Sequence, residues 1–286
     1  MFRNTICIAF CLVGLVGFGQ VGGQSVYQFL NLVTSPRQAA LGGKVITFYD
    51  QDVNQGHFNP ACINAEMDNK LSLNYGSYFG EVTYGTASYA YTYDRHVQTF
   101  FGGVNYVNYG KFDGYDENGQ QTASFTGSEI ALSFGYAYNV PFTDLYLGAN
   151  AKLISSSLES YNSFGAAIDI GALFIDTRND VNWAIAIRNI GTQITPYAET
   201  REKLPLEVLI GVSQLMENVP IRWHLTLENM QQWQLAFANP NRAEGNLDGG
   251  STPEKVYELF ASCTMRVSTM QRWLNNRPSL RKEEFA

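Results

Sequence analysis

The sequence predicts an all-β fold: an antiparallel transmembrane β-barrel with an N-terminal plug or hatch segment and an incomplete C-terminal end. Three observations predict it. Only 16% of the 286 residues are charged, against roughly 25% in an ordinary soluble domain. Period-two alternation recurs in segments of about ten residues, the length that a tilted membrane strand requires. The polar face of those segments carries Gly, Ala, Ser, Thr and Asn rather than the Lys and Glu of a water-facing surface. Apart from a short stretch at the start, no run approaches the roughly 20 apolar residues of a spanning helix. Lipid admits only helices and closed barrels, because backbone groups find no water there.

Residues 1–19 read as a signal peptide. Arg3 supplies the positive charge, Ile6 to Phe18 the apolar core, and Gly17-Phe18-Gly19 a small-x-small cleavage site. Cys7 and Cys11 fall in that segment, and bulky Phe10 before Cys11 is unlike a lipoprotein site. Residues 20–70 form the hatch segment, which alternates poorly. Ser25 to Leu32 reads as a short amphipathic helix ended by Ser35-Pro36. Gly42-Gly43 and Asn59-Pro60 then mark turns, and these four are the candidate hatch residues. Pro60 biases Asn59 toward an extended backbone, and an Asn side chain can cap the turn that follows.

Residues 71–256 hold the strands, about nine of them: Leu71 to Phe79, Thr83 to Asp94, Gln98 to Tyr109, Gly127 to Asn139, Leu145 to Leu153, Phe164 to Ile175, Trp183 to Ile190, Leu206 to Gln214 and Ile221 to Asn229. In the fourth, Ile130, Leu132, Phe134, Tyr136 and Tyr138 share one face, and Ala131, Ser133, Gly135, Ala137 and Asn139 the other. Turn-rich clusters such as Asp113 to Gly119, Thr177 to Asp180 and Glu217 to Pro220 separate the strands. Soluble sandwiches and lipocalin-like barrels alternate too, so a soluble all-β protein is the competing fold. Tyrosines near strand ends, among them Tyr91, Tyr93, Tyr106 and Tyr109, suit interfacial girdles.

The inward face carries isolated charges. Asp169, Arg188, Glu207, Arg222, His224 and Glu228 are the candidate lumen polar network, with Lys152 nearby in the pattern. No catalytic constellation is signalled, since His57, His96 and His224 are scattered. Cys62 and Cys263 have neither zinc nor redox spacing, and a disulfide between them has no support in the sequence. The Asp113 to Gly119 loop resembles a calcium loop in its acidic spacing but lacks the distal Glu, so a solvated hairpin loop is expected. No catalytic, cofactor or metal residue is therefore assigned. A net charge of −7 without basic clusters argues against nucleic-acid binding.

A resemblance enters on the run from Gln20 to Gly43, on Asp52-Val53-Asn54 and Asn59-Pro60-Ala61, and on Arg201-Glu202-Lys203-Leu204-Pro205 and Ile221 to Asn229. These stretches resemble the PorV/PorQ outer-membrane proteins of the Bacteroidetes type IX secretion system, which are similar to fatty-acid-transporter-like barrels. The resemblance covers about residues 20 to 250. It implies a non-enzymatic component of the Gram-negative outer membrane, in contact with its lipid, that anchors the cell-surface cargo attachment complex beside PorZ-like and PorU/PorV-like components. The wider barrel family implies the alternative of a transporter of hydrophobic compounds, and a soluble binding module is a third reading. The two membrane readings predict different interiors: a packed polar lumen for a scaffold, an apolar chamber behind the hatch for a transporter.

Residues 257–286 depart from that pattern. This tail shows no strand period, and Arg266, Arg272, Arg277, Arg281 and Lys282 fall in it, with Lys255 just before. A family barrel needs an even strand count, so the tail reads as truncated or out of frame.

Overall fold

Nine strands form where the alternation places them, and they pair in sequence order. The structure, a computed structural model, describes residues 25–94, 97–114, 119–121, 123–198, 200–216, 221–231 and 266–269. The signal peptide, His96, Cys263 and most of the tail lie outside the described residues. The strands are β1 (Lys70–Ser77), β2 (Thr83–Asp94), β3 (Gln98–Phe112), β4 (Phe125–Asn139), β5 (Leu145–Leu158), β6 (Tyr161–Asp176), β7 (Val181–Thr195), β8 (Glu207–Leu215) and β9 (Ile221–Leu227). All neighbours are antiparallel in one sheet. A tenth strand, β10 (Arg266–Thr269), pairs with β9 inside the stretch expected to lack strand character. Four residues are too few to display a period.

Several strands outrun their expected bounds because hairpin pairing continues after the apolar alternation stops. Thus Lys111 pairs with Thr126 and Phe112 with Phe125, where the two rings also stack at 5.3 Å. β1 stops short of Phe79 because the backbone turns there, the Tyr78 N–H donating to Val82 O at 2.7 Å.

Burial is inverted relative to a water-soluble protein. Leu73, Phe134, Ile170 and Trp183 are 70%, 61%, 51% and 54% exposed, whereas Lys152, Asp169 and Glu207 are 2%, 0% and 1% exposed. The strand pattern dictates this, since successive side chains point to opposite faces. Most large apolar side chains point outward, and the inward face combines small and polar residues with apolar ones such as Phe101, Ile154, Leu173 and Leu209. Among the described residues, no helix is long and apolar enough to cross a membrane.

The inward face packs against residues 25–69, which touch every strand from β1 to β9. Asn54 bonds Ser72 and Asn74 of β1, and His57 pairs with Ser88 of β2. The His57 ring meets Phe101 of β3 edge-on. Ile63 and Met67 pack with Ala137 of β4. Gly56 O accepts from Asn150 of β5, and Asn59 presses on Gly171 of β6. Asn182 of β7 donates to Thr47 O, Glu207 of β8 meets Lys44, and Phe48 meets His224 of β9.

The expected helix over Ser25 to Leu32 does not form. Only a single 3-10 turn, Gln28–Asn31, appears, because Tyr27 takes a left-handed backbone (φ 56). Ser35-Pro36 starts a helix rather than ending one: Ser35 caps Pro36–Ala40 by accepting from the Gln38 N–H, with Pro at the first position. Proline fits there because its missing N–H would have no helical partner. Gly42 (φ 104) and Gly43 (φ 123) then turn the chain out of that helix, a conformation that glycine adopts without penalty.

The two ends of the sheet differ. At one, β2–β3, β4–β5, β6–β7 and β8–β9 are joined by connections of three to five residues. At the other, β3–β4 and β7–β8 are joined by the long connections 113–124 and 196–206. The hatch runs from the second end to the first. Tyr27 bonds Ser163 near the start of β6 at the long-loop end, whereas Tyr49 packs on Tyr146 at 4.6 Å beside the start of β5.

Candidate lumen network and hatch contacts

Two buried ionic groups fasten the hatch to the wall. In the first, Arg188 Nη1 donates to Glu207 Oε2 at 2.8 Å, while Lys44 from the hatch pairs with Glu207 Oε1 and lies 3.6 Å from Glu228 Oε2. Arg188 Nη2 also donates to Leu30 O at 3.1 Å, and its guanidinium lies 5.6 Å from the centre of the Phe58 ring. One wall arginine thus grips two separate hatch segments.

In the second group, Lys152 Nζ pairs with Asp169 Oδ2 at 2.7 Å and donates to Asn189 Oδ1 at 3.0 Å. Asp169 Oδ1 accepts from the Asn189 N–H at 2.8 Å. Asn189 takes a left-handed φ of 59° where the β6–β7 register slips, a bulge that turns its amide inward. Its Nδ2 reaches Pro205 O and Asn31 Oδ1, joining the wall, the 196–206 connection and the hatch.

Within these two groups three cations (Lys44, Lys152, Arg188) face three anions (Asp169, Glu207, Glu228), while the further buried carboxyl of Glu129 is held by the hydroxyls of Tyr109 and Ser156. Pairing inside each group is what a desolvated interior demands, because an unpaired buried charge costs several kcal/mol. Of the six residues expected to form the network, Asp169, Arg188, Glu207 and Glu228 are placed in these groups. Arg222 lies on β9 and donates to Ser213 Oγ at 3.2 Å, and the His224 ring packs edge-on against Phe48 at 5.7 Å. Nothing in the strand alternation marks Lys44, which sits outside the alternating segments.

The remaining contacts are steric. Asn59 is extended (φ −145, ψ 111); its Oδ1 accepts from the Ala61 N–H at 3.0 Å, and its Nδ2 donates to Ile46 O at 2.9 Å. The turn that it caps lies directly on Gly148 and Gly171, which face each other across β5 and β6. A Cβ at Gly148 would overlap the Pro60 carbonyl, and one at Gly171 would overlap Asn59 Oδ1. Small residues on the inner wall are thus the seat of the hatch. At the long-loop end, Val26, Tyr27, Phe29 and Leu30 cluster with Val107, Ala131, Ile154, Ala167 and Leu204.

Burial sets the titration of the hatch side chains. The Cys62 thiol is free, fully buried and pushed up by desolvation. His57 is pushed down to about 3 by desolvation first and then by the Lys152 and Arg188 charges. Below its unfolded value of about 6.5 the unfolded chain therefore binds a proton that the folded one refuses. His57 should lower stability progressively as pH falls from about 6.5 toward 3. Urea midpoints measured across that window should fall with acidification in the wild type and fall less in His57→Gln; equal slopes would refute the assignment.

Among the described residues no cluster of His, Cys, Asp and Glu is arranged to hold a metal ion. Compared with known proteins, the chain matches no family model and no curated protein.

Proposed function

We propose that this protein is a non-enzymatic outer-membrane scaffold of the type IX secretion attachment machinery, a plugged barrel that anchors soluble surface partners. The observation that carries the reading is the interior. A transporter of hydrophobic compounds needs an open apolar chamber behind its hatch, whereas here the inner wall meets the hatch directly, through ionic groups, hydroxyls and glycines and through apolar side chains such as Phe101, Ile154 and Leu173 that hatch residues cover. A filled lumen suits a structure whose loops, rather than its bore, do the work. The apolar exterior, with aromatic residues toward both ends of the strands, supports lipid as the surrounding medium. The stretches resembling the PorV/PorQ proteins supply the machinery and its PorZ-like and PorU-like partners.

The test is deletion in the native bacterium followed by fractionation of cargo bearing type IX C-terminal signals. Loss of surface attachment, restored by the intact gene, is expected; unchanged secretion and attachment would refute the scaffold. The lipid-facing assignment has its own test. Phe134→Arg places a charge on the outward face of β4 and should destabilise the protein in lipid by about 2 kcal/mol. Phe142→Arg, in the fully exposed β4–β5 turn, should change little. Equal effects in a bilayer-refolding titration would argue against a lipid-facing sheet.

A further inference from the structure

The path of the hatch carries a consequence for sidedness. Barrels of the outer membrane place short turns in the periplasm and long loops outside. By that rule the long-loop end, with connections 113–124 and 196–206, faces outward. The hatch begins at that end: the Val26 N–H donates to Lys203 O at 3.0 Å, and Tyr27 packs against Tyr197 at 6.4 Å between ring centres. It then descends past Arg188 and Lys44 and leaves at the short-turn end, where the Thr92 N–H donates to Asp68 Oδ1 and Lys70 opens β1.

The 196–206 connection behaves as a strap over this beginning. The Glu202 N–H donates to Gln193 Oε1 at 2.7 Å, Leu204 joins the cluster of Val26, Tyr27, Phe29 and Leu30, and Pro205 O is held by Asn189. The strap thus holds the first hatch residues through its backbone and Leu204, while Arg201, Glu202 and Lys203 point to solvent. Gln28, within the strapped segment, is itself exposed.

We infer that the hatch is threaded from the cell-surface mouth inward and strapped there by residues 196–206, so that its amino-terminal end is displayed on the outside of the cell. This rests on the outer-membrane reading above. A surface partner that engages Arg201 to Lys203 then has a direct mechanical connection to the plug through Val26.

The experiment is labelling of single cysteines in intact cells with a membrane-impermeant maleimide, in a Cys263→Ser background where buried Cys62 stays silent as the fold control. Gln28→Cys is compared with Ser160→Cys in the β5–β6 turn at the long-loop end and Asp144→Cys in the β4–β5 turn at the short-turn end. Gln28→Cys should label at a rate similar to Ser160→Cys and at least ~10-fold faster than Asp144→Cys, which should require permeabilisation because the bilayer separates the two ends. If Ser160→Cys labels in intact cells and Gln28→Cys only after permeabilisation, the threading is overturned while the membrane reading stands. If Asp144→Cys labels as readily as Ser160→Cys, the membrane reading itself fails and the sidedness falls with it.

Discussion

Replacing Glu207 by Leu is expected to cost about 3–5 kcal/mol, the penalty for leaving buried cations without their partner. Glu207 is 1% exposed and holds both Arg188 and Lys44, one on each oxygen. Without it, three buried cations face two anions, and of those Glu228 lies 3.6 Å from Lys44 with its side chain 24% exposed. Glu207→Gln keeps the shape and one acceptor but loses the charge, so its cost should be smaller. The double variant Glu207→Leu/Lys44→Met removes one charge of each sign and should recover a large part of the loss, because apolar replacement of a buried pair is often close to neutral. Urea unfolding in detergent, followed by tryptophan fluorescence, measures all three. If the double variant is as unstable as the single one, charge balance is not what holds the hatch, and a packing role for Glu207 replaces it.

This pairing also marks how far the sequence could be read. Strand positions were legible because the pleat sends alternate residues to opposite faces, one exposed and one packed on residues 25–69: Phe134 and Ser133 are neighbours, yet one is 61% and the other 1% exposed. The wall side of the network was legible for the same reason, since a lone Asp169 or Glu207 among small residues must be inward and paired. Its hatch side was not. Lys44 follows two turn glycines in a stretch without periodicity, and nothing local tells a lysine on a buried turn from one in solvent. Asn189 was equally hidden: its role depends on a left-handed backbone at a register slip, which arises from pairing between strands. Pro36 starts a helix where a stop is expected, because proline both ends one helix and opens the next. Which it does depends on the residue before it, here a capping Ser35.

Gly171→Val should unseat the hatch. A Cβ at position 171 would overlap Asn59 Oδ1, the atom that caps the Asn59–Pro60 turn, and would sit 3.1 Å from Pro60 Cδ. On the paired strand, a Cβ at Gly148 would overlap the Pro60 carbonyl, which is backbone and cannot swing aside as a long side chain would. Ordinary overpacking of a core costs about 1–3 kcal/mol, and here relief requires moving the turn itself, so the cost should reach or exceed the upper end of that range. Gly148→Val should behave likewise. Gly102→Ala is the control, because a Cβ there meets nothing within 4 Å. The reporter is already present: Cys62 lies two residues beyond Pro60, is fully buried and donates to Ile46 O at 3.2 Å. In the Cys263→Ser background its thiol should be inert in the wild type and in Gly102→Ala but should react in Gly171→Val and Gly148→Val, with the sheet still folded by circular dichroism. An inert Cys62 in both valine variants would mean that the turn does not rest on these glycines, and the inner wall would owe its small residues to some cause other than the hatch.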